Sequence, residues 1–209
     1  MIADKINRTA RRIPAWLVYV LGILPAGWFL YQGLTGGLGA EPIKALEHEL
    51  GEFGLKLLIL GLCITPLRKH LGVNLIRFRR AIGVMTFVYV FLHLLVWLVL
   101  DVQIVSQIWA DILKRPYITV GMVGFAMMIP LALTSNNYSV RKLGMRWRTL
   151  HKLTYGIAIL GALHFVMVAK GIQIEPLIYM AVVLGLLALR IPRTSLRLAG
   201  RFTRESVDN

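Results

Sequence analysis

LHKLTYGIAILGALHFVMVAK, residues 150–170, is an apolar run of bilayer length that carries two histidines, His151 and His164. A second run, AIGVMTFVYVFLHLLVWLVL at residues 81–100, carries His93 in its outer half. Ionisable side chains are expensive inside a bilayer, so a histidine there is expected to serve a pathway, a partner or a metal. Working outward, four further apolar runs of similar length appear. The six expected spans are Ile13–Tyr31, Glu49–Leu67, Ala81–Leu100, Pro116–Thr134, Leu150–Ala169 and Ile172–Leu189, each close to the ~20 residues that cross a hydrocarbon core. With 57% hydrophobic residues in 209 and a mean hydropathy of +0.67, the chain reads as an all-α integral membrane protein. Helices suit this solvent because each satisfies its own backbone.

The net charge of +14 does not indicate a nucleic-acid ligand, because its distribution follows the spans. Basic residues crowd the N-terminal segment (Lys5, Arg8, Arg11, Arg12) and the loop after span two (Arg68, Lys69, Arg77, Arg79, Arg80). They crowd again before span five (Arg141, Lys142, Arg146, Arg148, Lys152) and after span six (Arg190, Arg193, Arg197, Arg201, Arg204). The opposite side keeps only Lys44, Lys56, Lys114, Arg115 and Lys170. Positive-inside bias therefore predicts six spans with both termini cytoplasmic. The expected organisation is a basic tail over 1–12, a six-helix domain over 13–191 and a second basic tail over 192–209. The first span is expected to remain as an uncleaved helix, with Pro14 in its first turn and a kink at Pro25.

Cys63 is the only cysteine. This excludes an intrachain disulfide, a Cys-x-x-Cys pair, an iron–sulfur cluster held by this chain alone and covalent haem attachment through Cys-x-x-Cys-His. Outside the membrane, GGLG at residues 36–39 predicts a tight turn, and EPIKALEHEL at 41–50 a short amphipathic helix carrying His48. His70 is expected to be a solvated loop residue. A short echo also runs through the chain: Thr65 precedes Arg77-Phe78-Arg79 by the interval at which Thr134 precedes Arg146-Trp147-Arg148. That echo would make spans two–three and four–five equivalent hairpins.

Spans three and five run in the same direction, so depths compare directly. At ~1.5 Å per residue His93 lies about 18 Å from Ala81 and His164 about 21 Å from Leu150. They share a depth and form the natural pair for one haem held between two helices; ordinary interhelical hydrogen bonds are the competing account. His151 is near the cytoplasmic mouth. Thirteen residues at ~100° each leave it about 140° around the helix from His164, so both face one stripe only if the helix bends or carries a π-bulge. Gly161, one turn before His164, is expected to admit a flat macrocycle. A small transporter or proton channel using these histidines as a relay is the rival class, although no acidic residue lies deep in a span. A haem-free assembly subunit is a third.

Taken in order, GGLGAEPIK, ITPLRK, RRAIGV, Leu92-His93, KRPYITVG, RKLGMRWRTLHKLTYG and EPLIY resemble the ferric reductase-like transmembrane superfamily. More particularly, they resemble its bacterial haem-containing membrane subunits of periplasmic methionine sulfoxide reductase systems. The resemblance implies an electron conduit in the bacterial inner membrane, with one haem b or two. Its donor would be the quinone pool or a cytoplasmic flavin reductase, and its acceptor a periplasmic molybdenum-containing methionine sulfoxide reductase. By position, His93 and His164 look like haem ligands and His151 like a second haem-associated histidine. The larger family carries another histidine where this chain has Arg79, which leaves the partner of an inner haem open, with His70 as a substitute. The resemblance also implies FMN, and Arg77, Arg79, Arg80, Arg146 and Arg148 are candidates to neutralise propionates or a flavin phosphate. The sequence ends at Asn209 and is expected to rely on a separate donor in place of a flavin and nicotinamide domain.

Overall fold

The computed structural model describes residues 2–169, 171 and 173–190, and the expected tail over 192–209 lies outside them, as do Lys170 and Ile172. Among the described residues the chain is helical. Five helices are long and apolar enough to cross a membrane: Leu17–Leu34, Pro42–Leu71, Ile76–Val102, Pro116–Leu133 and Met145–Val168. A sixth apolar helix, Ile174–Ala188, is shorter at 15 residues. The protein is a multi-pass helical membrane protein.

The N-terminal segment is itself a helix, α1 (Ile2–Arg12), with Asp4 in its first turn and Arg11 and Arg12 in its last, each sign matching the helix dipole. It is tied to the loop after the second span. Asn7 donates to Gly72 O at 2.9 Å and accepts from Asn74 N at 2.7 Å. Arg77 donates to the terminal carbonyls of Ala10 and Arg11. After a turn at Pro14, α2 (Leu17–Leu34) leaves Leu21, Leu24, Trp28 and Leu34 exposed, as a lipid-facing helix does. The GGLG turn forms as expected, with Gly36 at φ 80° and Gly39 at φ 83°, values that a side chain rarely adopts.

The helix α3 (Pro42–Leu71) has 30 residues, about 45 Å of rise. The short amphipathic helix and the second span are therefore one element. Pro42 opens it at the first turn, where its missing N–H costs nothing, and Gly72 closes it at φ 68°. After a 3-10 turn at Ile76–Phe78, α4 (Arg79–Leu95) runs into a π-helical segment, Val96–Val102. A short amphipathic α5 (Val105–Lys114) follows, then α6 (Pro116–Leu133), again with proline at its start. Asn136 caps α7 (Asn137–Leu143), its side chain accepting from Ser139 N at 2.7 Å. The last hairpin comprises α8 (Met145–Leu150), α9 (Leu153–Val168) and α10 (Ile174–Ala188).

The most extensive packing joins α3 to α4 and α6 to α9, which are the two hairpins of the sequence echo. α3 is central and, among the described residues, contributes to three buried clusters: with α2 and α4 through Leu46, Leu50 and Tyr89, with α1 and α4 through Ala10, Ile64 and Ile82, and with α9 and α10 through Leu62, Ala158 and Val183. The basic segments gather at one end. α1 meets Arg77, Arg80 donates to Asn137 Oδ1 at 2.6 Å, and Arg190 donates to Tyr155 and to Leu62 O.

Candidate bis-histidine site

A cavity of about 790 Å³ opens between the α3–α4 and α6–α9 pairs, with His93 and His164 in its wall. Their ring centroids are 6.2 Å apart and their planes cross at 81°. Each ring is fixed in the same way. His93 Nδ1 stands 2.8 Å from Glu47 O on α3, and His164 Nδ1 stands 2.8 Å from Tyr117 O on α6. A carbonyl only accepts, so Nδ1 carries the hydrogen in both rings and Nε2 keeps its lone pair. That is the tautomer a metal-ligating histidine needs, with the backbone carbonyl as the outer orienting group.

The approach of each imidazole to the facing helix depends on a glycine. A Cβ at Gly51 would lie 2.9 Å from His93 Nδ1, and one at Gly121 would lie 2.9 Å from His164 Nδ1. Both distances are shorter than real Cβ contacts allow. These two glycines and the carbonyls they expose were not legible along a single span, because the residue that matters sits on the neighbouring helix. The echo between the hairpins was the available signal. Gly161, singled out from sequence, also borders the cavity, although a Cβ there would make only ordinary contacts with Leu55 and Leu58.

The residues fit a haem. A metal about 2 Å from each Nε2 requires ring centroids about 6 Å apart, since each nitrogen stands about 1 Å from its ring centre, and the observed separation is 6.2 Å. The volume falls within the roughly 300–1,000 Å³ of ligand pockets. Apolar walls come from Leu55, Leu58, Val90, Ile118 and Met128, while Arg115, Lys44 and His48 border the same cavity. His48 is exposed, with its ring edge-on to Phe165 at 6.0 Å.

The other candidates lie elsewhere. His151 sits at the break between α8 and α9, so the helix is interrupted at the residue whose direction was in question. Its Nε2 is 3.1 Å from Thr134 Oγ1, and Trp147 stacks on its ring at 3.9 Å. Thr134 Oγ1 donates to Pro130 O at 2.6 Å, which leaves it to accept from the histidine. Arg77 is taken up by α1 and Arg80 by Asn137. Arg79 borders a smaller cavity of about 300 Å³ with Thr65, Lys69, Tyr155 and Arg190. Arg146 and Arg148 are exposed on α8, and His70 is exposed in the last turn of α3.

Fold and site together define a polytopic helical membrane protein with a paired-histidine centre between two hairpins. The family model described as "Ferric reductase like transmembrane component" matches residues 50–162, a span that contains His93 and His151 and stops just short of His164. The protein-methionine-sulfoxide reductase heme-binding subunit MsrQ of Agrobacterium fabrum is 50% identical over 182 residues, covering 87% of this chain and 85% of that protein. The MsrQ subunit of Brucella ovis is 50% identical over 184 residues, covering 87% and 83%. No solved structure matches the chain. The chain belongs to the ferric reductase-like transmembrane family, in the branch of the MsrQ subunits.

Proposed function

We propose that this protein is a b-type cytochrome that carries electrons through the bacterial inner membrane to a periplasmic, molybdenum-containing methionine sulfoxide reductase. The observation that carries the reading is the His93–His164 pair, two rings 6.2 Å apart with each Nδ1 bound to a carbonyl. The haem, when bound, supplies the one-electron redox change. The chain supplies the rest: His93 and His164 would hold the haem iron between them, a pairing that would favour electron transfer over oxygen binding. The carbonyls of Glu47 and Tyr117 hold the tautomer, and Leu55, Leu58, Val90, Ile118 and Met128 give the cavity apolar walls. Attachment is non-covalent, as Cys63 is alone. The relatives are named as the heme-binding subunit of a methionine-sulfoxide reductase, which supports both the cofactor and the partner.

In this reading the chain crosses the membrane six times with both termini in the cytoplasm, and the basic end described above faces the donor. Quinol or a reduced flavin delivers electrons there. Arg79, beside Lys69 and Arg190 at the smaller cavity, is the cation best placed for an FMN phosphate or a haem propionate. His151 serves a second haem or the entry of electrons.

The test is an absorption spectrum of the detergent-purified protein, oxidised and then dithionite-reduced, with a pyridine haemochrome count. A b-type Soret band with sharp reduced α and β bands is expected, and His93→Ala and His164→Ala should each abolish the low-spin signal. A colourless protein after expression with ample haem, or full haem retention in both variants, defeats the reading.

A further inference from the structure

We propose that Gly51 and Gly121 are positioning residues that lock the two imidazoles nearly perpendicular to one another, each by uncovering the one backbone carbonyl to which its histidine can donate. The inference rests on the haem reading above and extends it from which residues bind to what fixes their orientation.

The argument begins with helix geometry. Every Cα–Cβ bond in an α-helix tilts toward the N-terminus, so the Cβ of residue i+4 shields the carbonyl of residue i. Glu47 and Gly51 stand in that relation on α3, and Tyr117 and Gly121 stand in it on α6. Each carbonyl already lies within its own helix's ladder but has a second lone pair to offer. With hydrogen at the i+4 position, the imidazole of the neighbouring helix reaches that lone pair at 2.8 Å. With a methyl there, Nδ1 would meet carbon at 2.9 Å, and Cε1 at 3.2 Å for His93 or 3.0 Å for His164. The two halves use one device, and its product is the 81° angle between the rings. Other glycines of the bundle do not share it: a Cβ at Gly61 would meet only Ile82 at an ordinary 3.6 Å.

An imidazole that donates from Nδ1 is a stronger electron donor to its metal, and the mutual angle of two axial imidazoles sets the anisotropy of the low-spin ferric signal. The experiment compares the full-length, haem-loaded protein with Gly51→Ala, Gly121→Ala and Gly61→Ala by electron paramagnetic resonance and redox titration. The parent should give the large-gmax signal of near-perpendicular imidazoles, and this measurement needs no variant to fold. Gly51→Ala and Gly121→Ala should each lower gmax or split the signal, and each should raise the midpoint potential. Gly61→Ala should match the parent. A parent signal of the parallel-plane type overturns the proposal, as do glycine variants at 51 and 121 indistinguishable from Gly61→Ala. A haem-free parent overturns the haem reading and this inference with it, whereas a haem-loaded parent with unaltered variants overturns this inference alone.

Discussion

Replacing Tyr89 by phenylalanine removes one oxygen from the middle of the bundle and strands two backbone groups of another helix. The hydroxyl donates to Gly22 O at 2.7 Å and accepts from Ala26 N at 3.0 Å. Those two groups are four residues apart on α2 and would ordinarily bond each other. Pro25 lies within the same turn; it has no N–H to offer, and its ring crowds the carbonyl of Leu21, which loosens the ladder at this point. Tyr89 has no exposed surface, and Phe53 packs on its ring at 4.5 Å. An unsatisfied buried backbone group costs roughly 1–3 kcal/mol, while hydrogen bonds between helices in membranes average ~0.6 and reach ~1.7 kcal/mol. With two groups stranded and no water in reach, Tyr89→Phe should destabilise the bundle by about 1.5–3 kcal/mol.

The sharper test is the coupling to Pro25. In a Pro25→Ala background the turn closes, Ala26 N can return to Gly22 O, and the hydroxyl becomes dispensable. The cost of Tyr89→Phe should then fall by at least about 1 kcal/mol, within the range seen for residues in contact. Reversible SDS-induced unfolding, followed by tryptophan fluorescence in the four proteins of the cycle, measures both numbers. A cost below about 0.5 kcal/mol in the parent, or an equal cost in both backgrounds, would refute the insertion of Tyr89 into the α2 ladder.

Two further perturbations separate structural from redox roles. His151→Ala removes the contact with Thr134 and the stack on Trp147; it should leave the low-spin signal proposed for the His93–His164 pair intact while shifting Trp147 emission, and loss of that signal would place His151 at the same iron. Arg77→Ala frees the carbonyls of Ala10 and Arg11, so limited proteolysis should cut within α1 several-fold faster with the visible spectrum unchanged. A spectrum that changes with Arg77→Ala would assign this arginine to the cofactor instead.

Five membrane-length helices were legible because bilayer thickness imposes a length, and length is a one-dimensional property. The common depth of His93 and His164 followed from the same arithmetic. What failed was continuity. α3 read as a surface helix plus a span because Glu41, Lys44, Glu47 and Glu49 make its first turns polar, yet proline at Pro42 starts one helix that runs to Leu71. The 140° offset of His151 was a correct geometric objection, and the chain answers it by interrupting the helix at His151 and Lys152, where neither glycine nor proline marks a break.

The pairing of α3 with α4 and of α6 with α9 explains why the histidine site was only half visible. Read along one span, a histidine draws attention to its own neighbours, which is how Gly161 came forward. Read across the hairpin, each histidine is served by a glycine some forty residues earlier, Gly51 for His93 and Gly121 for His164. Both halves therefore solve one local problem identically at the histidine pair. At the basic end they diverge: the α9 half presents His151 against Thr134, and the α4 half presents Arg79 and Arg80. Equal construction predicts equal consequence, so a change at either outer glycine should perturb the site alike. The basic end is where the two hairpins differ in the side chains they present.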